Sequence, residues 1–85
     1  YSFKENAIPI GAELEYVSDR AVTCRVHDEN NVIFNEEICS PSRAAVLANN
    51  LRGGRATALS GTAFWLYDGE TLSSIREQRL SSETE

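Results

Sequence analysis

The chain is poor in the residues that carry most protein chemistry. Its 85 residues include one histidine, two cysteines, one tryptophan and no methionine. Two cysteines, Cys24 and Cys39, are too few for a disulfide scaffold. They are expected as reduced thiols in a reducing, cytoplasmic compartment, with Cys24 acting as a small core hydrophobe. The lone imidazole, His27, has no serine or cysteine motif beside it, and its odd spacing from Cys24 puts the two on opposite faces of a strand. It reads as a solvated side chain. Cys24, His27 and Cys39 are also one ligand short of a structural zinc site. The acid pairs Glu13/Glu15 and Glu36/Glu37 fall on a solvated strand face and in a turn, not in a cleft that would tune a carboxyl for acid–base work. No catalytic constellation, metal or cofactor is therefore expected. No apolar run approaches the roughly 18 residues that a membrane span needs, and the N-terminus lacks the pattern of a signal peptide.

What remains is an ordinary globular composition, 41% hydrophobic and 25% charged. Residues 1–85 read as a single accessory domain. With Tyr1 at the start and no initiator methionine, it is expected to be part of a longer protein. The net charge of −5 is unevenly spread. Residues 1–37 carry −5 and residues 68–85 carry −3. Residues 38–67 hold no acid and three arginines, Arg43, Arg52 and Arg55. That central stretch is the candidate anion-facing surface.

The hydrophobic pattern predicts an α+β fold with a small antiparallel sheet of about four strands. Pro9 and Gly11 mark an extended entry and a turn. Leu14 and Tyr16 then alternate with Glu13 and Glu15, and Val22, Cys24 and Val26 alternate with Thr23, Arg25 and His27, giving two strands. Asp28-Glu29-Asn30-Asn31 is a turn before a short third strand at Val32-Ile33-Phe34, and Asn35-Glu36-Glu37 turns again. A helix follows the third strand region. Ser40 suits its N-cap and Pro41 its first position, while Ala44, Leu47, Ala48 and Leu51 share one face. Gly53-Gly54 ends that helix. Thr62 to Tyr67 reads as a fourth strand, Asp68-Gly69 as a turn, and Thr71 as the cap of a C-terminal helix.

Three features point to ligand contact. The first-turn N–H groups at Ser40, with Ser42 and Arg43 alongside, form the best local anion site; ordinary capping accounts for Ser40 and Pro41 but does not require Ser42 or Arg43. Arg52-Gly53-Gly54-Arg55 lets guanidinium groups and backbone approach a phosphate, or is simply a flexible connection. Trp65 either fills the core or offers a stacking surface to a base.

The order of these elements resembles the restriction-enzyme adenine-methylase-associated (RAMA-like) domains and a related group of uncharacterised bacterial domains. The resemblance runs over residues 3–80. It rests on Ser40-Pro41-Ser42-Arg43-Ala44-Ala45 and on Phe64-Trp65-Leu66-Tyr67-Asp68-Gly69-Glu70-Thr71-Leu72 with Ile75-Arg76. Where many such domains have a Gly-Trp pair, this chain has Gly61-Thr62-Ala63. The resemblance implies a non-catalytic module beside a restriction-modification or nuclease-type enzyme in the parent chain, binding DNA, modified DNA included, or another nucleic acid. It implies contacts at Ser40, Ser42, Arg43 and Trp65; charge adds Arg52 and Arg55. The competing expectation is a protein-interaction module that docks a partner or the parent enzyme through its sheet. Arginines dispersed over separate faces would favour that alternative.

Overall fold

A computed structural model describes residues 2–83. The fold is α+β, built on one antiparallel sheet. Its strands are β1 (Glu13–Tyr16), β2 (Asp19–Val26), β3 (Val32–Phe34), β4 (Glu37–Cys39), β5 (Trp65–Tyr67) and β6 (Glu70–Thr71). Its helices are α1 (Pro41–Leu51), α2 (Gly61–Phe64) and α3 (Leu72–Glu83). The sheet order is β4-β3-β2-β1-β5-β6, so the first four strands form a meander and the chain returns through α1 to add β5 beside β1.

The sheet has six strands where the hydrophobic pattern predicts about four, because two short hairpins escape that pattern. Asn35 and Glu36 both take positive φ, 49° and 69°, and make a two-residue turn that folds Glu37–Cys39 back onto β3 as β4. Such turns match the right-handed twist of the flanking strands. Asp68 and Gly69 do the same, at 53° and 82°, and create β6 just before α3 begins. The segment read as one long fourth strand divides. Gly61–Phe64 coils into α2 and only Trp65–Tyr67 is extended.

One face of the sheet carries the core. Leu14, Tyr16, Cys24, Val26, Val32, Phe34 and Trp65 lie there, closed over by Ala44, Ala45 and Ala48 of α1 and Leu72 of α3. The alanines let α1 approach the sheet closely. The predicted stripe is therefore shifted: Ala45 is buried, whereas Leu51, in the last turn beside the hairpin tip at Asn35, is exposed. Phe3 and Ile8 of the N-terminal segment fill one end of the core. That segment is tied by the Phe3 N–H, donating to the Glu29 carbonyl at 2.7 Å, and by Arg79 Nε, donating to Asn6 Oδ1 at 3.1 Å. Thr71 caps α3 as expected, its Oγ1 accepting from the Ser74 N–H at 3.1 Å. Among the described residues no helix is long and apolar enough to cross a membrane.

Both cysteines are free. They sit on β2 and β4 with β3 between, about 10 Å apart across the sheet, which is beyond disulfide reach. Burial, with Cys39 nearby, pushes the Cys24 thiol up to about 12. Its neutral form thus stabilises the fold fully below the ordinary thiol value, and that contribution is lost as pH rises toward 12. Cys24 is expected to resist alkylation at pH 8 in the native chain and to react once urea unfolds it. Mass spectrometry of iodoacetamide-treated protein checks this, and rapid native labelling of Cys24 would contradict the burial argument. A second expectation concerns Glu36, an L-residue held at φ 69°. Glu36→Gly should raise stability by about 0.5–1 kcal/mol in urea unfolding, because glycine carries no steric penalty there.

Candidate nucleic-acid interface

Residues 40–43 are the N-cap and first turn of α1, and the side chains of Ser40, Ser42 and Arg43 each have a partner within the fold. Ser40 is the N-cap: its Oγ accepts from the Arg43 N–H at 3.1 Å. Ser42 Oγ accepts from the Gly61 N–H at 3.2 Å, which joins α1 to α2. Gly61 fits there only because it has no side chain. A Cβ on it would lie 2.4 Å from the Pro41 carbonyl carbon and 2.5 Å from the Ser42 nitrogen. Trp65 completes the joint. Its indole Nε1–H donates to the Pro41 carbonyl at 3.0 Å, and its ring packs edge-on to Tyr16 at 5.4 Å and tilted to Phe34 at 6.1 Å. Trp65 is 0% exposed. Of its two readings the core one holds, and it is withdrawn as a stacking surface.

The three arginines do not converge. Arg43 Nε lies 3.9 Å from Glu37 Oε2, a loose contact between two largely exposed groups. Arg52 Nη1 donates to Asp19 Oδ2 at 2.6 Å and ties the end of α1 to the start of β2. Nine residues separate Arg43 from Arg52, which is about 13 Å along a helix axis and half a turn around it. Arg52 is thus a structural tie rather than a free phosphate contact. Arg55 is exposed and has no ion-pair partner among the described residues.

The loop over residues 52–60 is held in shape by Asn50. Its Nδ2 donates to the Ala56 carbonyl at 3.1 Å, and its Oδ1 accepts from the Ala56 N–H at 2.9 Å. These two hydrogen bonds to the backbone of one residue imitate a strand pairing, and Thr57, Ala58 and Leu59 lie against α1. Between them runs a shallow groove of about 240 Å³ lined by Ser42, Arg43, Val46, Thr57, Ala58 and Leu59. Two other grooves indent the surface. One, of about 530 Å³, is lined by Phe3, Lys4, Ala7, Ile8, Pro9, Ile10 and Glu29. The other, of about 290 Å³, includes Glu37 beside Phe34 and Leu51. Of these three, only the groove beside the α1 N-terminus has no carboxylate in its lining.

Asn49 and Asn50 shape the loop, a role that no local pattern in the sequence marks. The bond of Asp19 to Arg52 depends on a 33-residue separation closing in space, which local sequence does not show. His27 is exposed, and no cluster of metal-ligating side chains occurs among the described residues. The Cys39 thiol is raised by burial and by the Glu37 carboxylate, with Arg43 opposing, so it is not an activated nucleophile.

No family model, curated protein or solved structure matches this chain.

The joint at Gly61 is the feature most sensitive to change. Gly61→Ala should cost about 1–3 kcal/mol, since the obstructing atoms are backbone and cannot rotate away. Arg52→Ala should cost no more than about 1 kcal/mol, because its pair is partly exposed. Urea unfolding of both variants measures the difference. A Gly61→Ala protein as stable as the parent would mean that the first turn of α1 is free to move.

Proposed function

We propose that this chain is a non-catalytic accessory module that binds nucleic acid along the corner where α1 begins. One observation carries the reading: the groove beside Ser42 and Arg43 lies within the acid-free residues 38–67 and has no carboxylate in its lining. A polyanion is repelled least at that part of an otherwise acidic surface. The same helix start carries much of the resemblance to the RAMA-like domains, which points to the same ligand class. Arg43 and Arg55 are the cations offered to phosphate, and Ser42 and Thr57 are hydroxyl-bearing residues along the groove. Arg52 is committed to Asp19 and Trp65 to the core, so neither takes part.

With so few cations, binding is weak and strongly limited to low salt. About two phosphate contacts correspond to a slope near −2 in log affinity against log salt. Gel-shift titration of a 20-base-pair duplex at low ionic strength tests this. Arg43→Ala should weaken retention about 3- to 10-fold and reduce the salt slope by about 1, while Arg52→Ala should leave the affinity of the folded protein unchanged. No shift at low salt, with modified or unmodified duplex, would sink the reading.

A second reading, protein docking through the sheet, is favoured by two observations. Arg43 and Arg52 sit at opposite ends of α1, and the uncovered sheet face exposes Ile33 and Ile38. Specific capture of a neighbouring domain of the parent protein by that face, with no duplex binding, would select it.

A further inference from the structure

The two edges of the sheet are unequal. β6 has two residues and runs directly into α3, so that edge is blunted. β4 forms the other edge, and no described strand pairs with its outer side. Phe34 and Glu37 close a two-residue hairpin, so they form a hydrogen-bonded pair, and the next pair, Ile33 and Ile38, is of the non-hydrogen-bonded kind. The N–H and C=O of Ile38 therefore point away from β3, out from the sheet edge.

Apolar side chains surround these two free groups. Ile38 is 55% exposed and Ile33 36% exposed, side by side on the uncovered face. On the other face, Leu51 is 64% exposed beside the groove that Phe34, Glu37 and Leu47 also line. Charge is arranged along the same edge. Glu37 stands at the start of β4, and Arg43 lies just past its end at Cys39, within 3.9 Å of Glu37. The two make a loose, largely exposed pair beside an apolar strand centre, and across a two-fold axis such a pair can exchange partners with its copy.

We infer that β4 is a self-association edge, at which a second copy of this chain adds its own β4 antiparallel about Ile38. Ile38 and the partner's Ile38 then exchange both backbone hydrogen bonds. Glu37 comes opposite the partner's Cys39, beside the partner's Arg43, so that no like charges face each other. The pairing extends the six-stranded sheet to twelve strands. A three-residue edge buries less than the ~1,000 Å² of a stable interface, so the dimer is weak. This inference stands apart from the nucleic-acid reading, since its measurement contains no nucleic acid.

Sedimentation velocity of the 85-residue chain tests it. The 9.4 kDa monomer should dominate near ~10 µM and give way toward twice that mass near ~1 mM. Ile38→Lys should stay monomeric throughout, with an unchanged thermal midpoint because the site is exposed. Glu37→Arg and Arg43→Glu should each lose self-association, since each puts like charges across the axis. Mixing the two variants in equal amounts should restore a dimer, which a charge effect within one chain cannot do. A wild-type chain that stays monomeric at ~1 mM overturns the inference. So does a dimer that survives Ile38→Lys, or a mixture of the charge variants that fails to associate.

Discussion

The fold depends on the joint between Trp65 and the first turn of α1. The indole N–H is bonded to the Pro41 carbonyl, and Gly61 brings its backbone against the same turn. A buried indole without an acceptor would cost about 1–3 kcal/mol, and a side chain at position 61 would push the two elements apart. With both conditions met, a helix that follows β4 at one edge of the sheet is anchored to β5 on the far side of β1. The core between them then closes around Tyr16, Phe34 and Trp65.

This joint also shapes the candidate interface. Trp65, which suggests a ligand contact when read as a residue type, is buried in it, whereas Ser42 Oγ accepts one hydrogen bond there and its exposed hydroxyl keeps a proton to donate. Arg52 is taken by Asp19 at the other end of the helix. The exposed chemistry that remains beside the groove is small: one loosely paired arginine and two residues bearing hydroxyls, with a second arginine in the adjoining loop. An otherwise acidic chain thus presents one corner whose groove holds no carboxylate in its lining. The binding function itself is a proposal, supported by the absence of carboxylates in that groove and by the resemblance to the RAMA-like domains.

The uncovered sheet face and the β4 edge have a different character. They combine isoleucines with Glu37 and Arg43, and the Glu13–Arg25 pair at 3.9 Å lies on the same face. A sheet with helices on only one side leaves such a face open by construction. Its apolar end coincides with the strand edge that no described strand pairs, so the two features lie on the same flank.

The amino-acid sequence determined the parts of this protein that local chemistry controls. Alternation placed Leu14, Tyr16, Cys24 and Val26 on the inner face, because side chains of a strand alternate whatever it pairs with. Ser40-Pro41 set the start of α1, and Thr71 the start of α3, because capping acts within a single turn. The acid-free stretch over residues 38–67 was equally plain. Tertiary structure alone decided the rest. Glu37–Cys39 and Glu70–Thr71 become strands only because two-residue turns lay them against neighbours, and so short a segment has no periodicity of its own. At Gly61 the backbone of α1, 20 residues away in the chain, leaves no room for a Cβ, and Gly61–Phe64 coils against that turn instead of extending β5. The fates of Arg43, Arg52 and Trp65 were decided in the same way. A guanidinium or an indole has the same intrinsic chemistry in any sequence, and whether it meets a carboxylate, a carbonyl or solvent depends on which distant residue the fold brings beside it.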